Sequence, residues 1–133
     1  MKEHVINWNP QLNLPVQYFT DEIQQTKNHV SVLCSVADDR SQKFQLFFDL
    51  STVVFYRETN ESFWISLDAP TIDSRGKSVL IIENSKLVQS LCNELANTDE
   101  TKKYKHFMLI DIELFLEIVA TEDPHIKLCT DVK

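Results

Sequence analysis

Residues 106–130 read HFMLIDIELFLEIVATEDPHIKLCT, and the division of this stretch into elements decides the fold. HFMLI at 106–110 is an almost unbroken apolar run of strand length, as expected for a strand covered on both faces. Asp111 follows, and its carboxylate can accept from the first free N–H groups of a helix. The segment IELFLEIVATE then runs without a breaker until Pro124, which a helix cannot carry in its interior. This pattern predicts a helix over 111–122 and a strand at 126–130, IKLCT.

Upstream, SVLIIE at 78–83 predicts a second strand buried on both faces. Asn84 or Ser85 then caps a helix reaching about Asn97, with Leu87, Val88, Leu91, Cys92 and Leu95 on one stripe. Earlier still the apolar period is two. HVSVLCSVA (29–37), QKFQLFFDL (42–50), STVVFYR (51–57) and SFWISL (62–67) are separated by short polar turns, which predicts an antiparallel meander. Residues 1–27, interrupted by Pro10 and Pro15, read as an irregular arm anchored by Trp8, Leu14 and Tyr18. The expectation is one α+β domain over 1–133: mainly antiparallel sheet, a meander then β-α-β-α-β, with two helices packed on one face.

The chain has 133 residues, enough for one core, and 43% of them are hydrophobic. Its formal charge of −7 repels phosphate backbones, and the few bases do not cluster strongly, so no nucleic-acid partner is expected. No stretch has the length of a membrane span, and the opening MKEHVINWNP lacks the apolar run of a signal peptide. Cys34, Cys92 and Cys129 are widely spaced inside apolar patterns. They read as reduced thiols of a cytoplasmic protein.

Gly76 is the only glycine, which excludes the glycine-rich loops that let a backbone approach phosphates and the glycine-flanked nucleophile elbow. No cofactor is expected. His125 and Cys129 fall on one face of a strand, with His106 on a neighbour. No locally paired ligand motif accompanies them, so no metal is expected. Cys34 and Cys92 lie on core-facing stripes, where a thiol is inert, and no catalytic residue is assigned; the chain reads as a non-enzyme.

Two patterns suit a partner surface. If Phe44, Leu46 and Phe48 point inward, Phe47, Phe55 and Trp64 lie on the opposite face among charges. The plainer alternative is that the N-terminal arm covers that face with Trp8, Leu14 and Tyr18. On the helix expected at 111–122, Glu113 and Glu117 form a like-charge i, i+4 pair, with Asp111, Glu122 and Asp123 at its ends. A basic partner would relieve that repulsion; the plainer alternative is a solvated helix face.

The segments SVLIIENSKLVQSLCNELA and YKHFMLIDIELFLEIVATEDPHIKL resemble small bacterial cytosolic proteins of the immunity type, including those of contact-dependent growth-inhibition systems. The resemblance rests on Glu83, Asn84 and Ser85 opening a helix and on His106 and Phe107 opening the next strand. It implies a cytoplasmic protein that binds and neutralises a cognate toxin domain, with a basic nuclease as the expected target. The alternative is a ligand-binding or regulatory module without catalysis.

Overall fold

The computed structural model describes residues 4–8, 18–60, 79–94, 103–110 and 114–130. Among them lie nine strands, β1 (His4–Asn7), β2 (Tyr18–Gln25), β3 (His29–Val36), β4 (Gln42–Asp49), β5 (Val53–Asn60), β6 (Val79–Glu83), β7 (Lys105–Ile110), β8 (Leu114–Ala120) and β9 (His125–Thr130). One helix, α1 (Lys86–Glu94), and a 3-10 turn, Leu50–Thr52, complete the described elements. The strands form two antiparallel sheets, ordered β1-β6-β7-β8-β5 and β2-β3-β4-β9.

This corrects the α+β expectation with two helices: the described residues are mostly antiparallel sheet and hold a single helix. The stretch expected to be the second helix contains β8. Leu116, Ile118 and Ala120 enter the core shared by the two sheets, while Val119 points the other way against α1. An apolar run this continuous satisfies the helical and the strand period alike. β-Branched Ile118 and Val119 and aromatic Phe115 favour the pleat, and β7 and β5 supply hydrogen-bonding partners on both sides. Asp111 and Glu113 lie outside the described residues.

The meander is also interrupted. β3 and β4 pair as expected, but the other neighbour of β4 is β9. After Asp49 the 3-10 turn carries the chain across to the second sheet, where β5 takes an edge beside β8. The strand expected at 62–67, including Trp64, is outside the described residues. In the arm, residues 4–7 and 18–25 are ladder strands, on β6 and β3.

The sheets face each other across one core. Val30, Val32, Cys34, Phe44, Leu46 and Phe48 come from the four-stranded sheet and Val79, Phe107, Leu109, Leu116 and Ile118 from the five-stranded one. Phe107 sits at the centre, edge-on to Phe48 at 5.4 Å and to Trp8 at 6.1 Å between ring centroids. Such offset ring pairs add to the burial of their area. On the outer face of the five-stranded sheet, α1 places Val88 and Cys92 over Val119, with Phe55 and Tyr104 packed beside them.

Phe107→Ala should therefore cost about 3–5 kcal/mol, because the cavity it opens lies between two sheets that cannot both close on it. Urea unfolding should show the midpoint shift without a change in slope.

Candidate functional site

The densest buried polar cluster crosses the outer face of the five-stranded sheet. It is built by four neighbouring strands in the order β6, β7, β8, β5, each contributing one group at or just beyond its end or within it. After β6 the chain turns through Asn84, which is left-handed at φ 55°, a conformation asparagine tolerates better than most residues. That turn delivers Ser85 to the start of α1, where its Oγ accepts from the Val88 N–H at 3.1 Å and its carbonyl accepts from Gln89. This is an N-cap, matching one of the two capping residues expected from the sequence.

Ser85 Oγ also lies 2.7 Å from His106 Nδ1 on β7. The other ring nitrogen, Nε2, is 2.8 Å from Glu117 Oε2 on β8, and Arg57 on β5 donates through Nε to Glu117 Oε1 at 2.7 Å. Arg57 and Glu117 are direct cross-strand partners, and His106, paired with Val119, reaches Glu117 diagonally, two positions along the β7–β8 ladder. Ser85, His106 and Glu117 are all buried, whereas Arg57 is half exposed. Burial pushes the Glu117 carboxyl up, but the hydrogen bonds from His106 and Arg57, helped by the Arg57 charge, outweigh it and hold the group below its ordinary value.

A serine, an imidazole and a carboxylate in this order have the composition of a nucleophilic triad. The geometry favours a latch instead. One proton arrangement serves every atom: Ser85 donates to Nδ1 while accepting from Val88, Nε2–H donates to Glu117, and Glu117 accepts from Arg57. The hydroxyl that would have to attack is 5% exposed and committed to capping α1. Among the described residues no buried side-chain nitrogen or oxygen lacks a partner. The row ties the helix start to four strands. A depression of about 470 Å³ adjoins it, floored by Ile6, Ile81, Ile82 and Val88 and rimmed by Glu83, Gln89, Tyr104 and Lys105.

The second notable surface is the outward face of the four-stranded sheet. Phe19, Leu33 and Phe47 are half-buried there, and α1 covers the other sheet, so no described helix lies over them. Of the arm residues expected to shield this face, Trp8 and Tyr18 turn inward to the core, and Leu14 lies outside the described residues. Arg40 stacks on Phe19 at 4.3 Å, donates to Ser35 Oγ and pairs with Asp21. Phe47 meets the His29 ring edge-on at 5.7 Å and is the register partner of His125. Asp49, at the same end, is held below its ordinary value by the Ser51 backbone N–H and hydroxyl, helped by the nearby charges of His29 and His125.

The expected partner-binding residues therefore divide. Phe47 keeps its place on an outward sheet face. Glu122 and Asp123 are exposed in the turn before β9, leading to His125 beside Phe47; Asp123 pairs with Lys105 at 2.7 Å. Phe55 belongs to the other sheet, packed with α1. Glu117 is no surface acid at all but the buried centre of the latch. The acidic helix face it was to share does not exist at residues 114–120. Trp64, Asp111 and Glu113 lie outside the described residues. Among the described residues no group of three His, Cys, Asp or Glu side chains is placed to hold a metal ion.

The sequence pointed to Ser85 as one of two candidate caps and to His106 beside a weak metal set, and to both through the resemblance; the structure joins them in one hydrogen bond, and adds Arg57 from sixty positions away from Glu117. The chain matches no known protein family, no curated protein and no solved structure.

Replacing Glu117 by Ala should cost about 3 kcal/mol, at the low end for breaking a buried pair because Arg57 can turn to solvent. Ser85→Ala should cost about 1 kcal/mol as a lost cap. Because the folded-state value of Glu117 is depressed, its stabilisation is fully present above the ordinary 4.5 and is lost as pH falls through the lower folded value. Urea midpoints from pH 6 down to pH 3 should accordingly fall less steeply in Glu117→Gln than in the wild type.

Proposed function

We propose that this chain is an immunity-type binding protein that neutralises a toxin domain by occupying it, and that it catalyses nothing itself. The observation that carries the reading is the outward face of the four-stranded sheet. There Phe19, Leu33 and Phe47 stay partly accessible among charged and polar neighbours. Rings set in a polar surround are the usual anchors of protein interfaces. The saturated Ser85–His106–Glu117–Arg57 row supports the same reading, since its reactive groups are spent on holding the fold.

A basic nuclease stays the expected target on the net charge of −7, although Glu117 is buried and cannot face it. The identity of the toxin is left to its chemistry. A cytoplasmic site of action belongs to the same proposal; among the described residues no helix is long and apolar enough to cross a membrane. A second reading, a ligand-binding module, is favoured by the depression of about 470 Å³ beside α1. Under that reading a small molecule with an apolar body would raise the melting temperature by linkage.

Co-expression with a toxin domain drawn from this chain's genomic neighbourhood should restore growth and give a complex on gel filtration. Phe47→Asp should weaken that complex by about 2 kcal/mol or more, the size expected of a buried aromatic anchor. No rescue and no complex would remove the reading, and a ligand-specific thermal shift would install the second.

A further inference from the structure

β9 stands at one end of the four-stranded sheet, hydrogen-bonded to β4, and among the described residues its opposite edge carries no strand. An open edge offers a row of backbone N–H and C=O groups to any extended chain that can lie beside it. The side chains along this edge are unlike on the two faces. On the core side, Ile126 packs against the core and Leu128 is 60% exposed, the most accessible large apolar side chain among the described residues. The apolar layer thus runs past the last strand. On the outward side, register pairs Lys43 with Cys129, Gln45 with Lys127 and Phe47 with His125, six positions without an acid in a chain of net charge −7.

From this we infer that the β9 edge is a docking site for an extended segment of a partner protein whose residues alternate apolar and acidic. Paired antiparallel or parallel to β9, such a strand sends every second side chain over Leu128 and Ile126, extending the core. The intervening ones go to the outward face beside Lys127, where opposite charges on neighbouring strands attract. A second copy of this chain fits poorly: β9 against β9 brings Lys127 towards its own twin, and like charges across a ladder repel. A nucleic acid is disfavoured because it would gain nothing from Leu128 and has no peptide N–H and C=O groups to pair with the β9 edge. The inference rests on the binding-protein reading and names the partner chemistry of that sheet.

The test uses a labelled peptide of β9's length alternating valine and glutamate, its valine–lysine counterpart, a version of the first with alternate backbone amides N-methylated, and oligo-dT. Anisotropy should show the glutamate peptide bound and the lysine peptide at least about tenfold weaker, a difference of about 1.4 kcal/mol. N-methylation should abolish binding, and amide exchange should slow in β9. Lys127→Glu, a change at an exposed position, should reverse the preference in favour of the lysine peptide; Leu128→Asp should weaken both peptides.

Equal or better binding of the lysine peptide to the wild type, binding indifferent to N-methylation, no binding, preference for oligo-dT, or a dimer that Lys127→Glu disperses would each overturn the inference. If toxin neutralisation survives Lys127→Glu together with Leu128→Asp, the edge is not the site although the chain remains an immunity protein. If the peptide binds as described and no toxin is neutralised, the edge stands and the immunity reading falls.

Discussion

The central strands β7 and β8 are covered twice, by the opposing sheet on one side and by α1 and its neighbours on the other, and most of the molecule follows from that. A strand in this position must be apolar on both faces, which HFMLI and LFLEIVA are. Any polar group it carries must find its partners inside the protein, because water does not reach it. His106 and Glu117 are the two exceptions to the apolar rule, and they meet each other.

That meeting also explains how a single short helix is held to a sheet. The nine described residues of α1 are too few to form a helix stable alone, and they are held by packing Val88 and Cys92 on β8 and by the cap at Ser85. Because the capping hydroxyl is itself held by His106, His106 by Glu117 and Glu117 by Arg57, the start of the helix is set relative to four strands at once. A fully satisfied polar row of this kind specifies geometry where apolar packing alone would allow sliding. The same saturation commits the Ser85 hydroxyl to the helix start and to His106.

The remaining surface is divided by charge and coverage. The five-stranded sheet spends its outer face on α1. On the four-stranded sheet the outer face carries Phe47, Lys43 and Lys127, and no described helix lies over them. Among the described residues, Asp38, Asp39, Asp49, Glu122 and Asp123 lie in turns or at strand ends, where Asp39 and Asp49 accept from the Ser41 and Ser51 N–H groups.

What the amino-acid sequence determined by itself was local. The two-residue period of 29–49 placed Val30, Val32, Cys34, Phe44, Leu46 and Phe48 on one buried face, because side-chain alternation along a strand needs no knowledge of its neighbours. Ser85 as a cap and the apolar stripe of α1 were legible for the same reason. The tertiary structure alone decided that residues 114–120 are a strand, since a continuous apolar run fits either period until flanking strands and a covering helix choose between them. It also decided that β4 pairs with β9 and that β5 leaves for the other sheet, which put Arg57 beside Glu117 and turned an expected surface acid into the buried centre of the latch. Strand order is set by which faces and edges remain to be covered, a property of the assembled chain and of no segment within it.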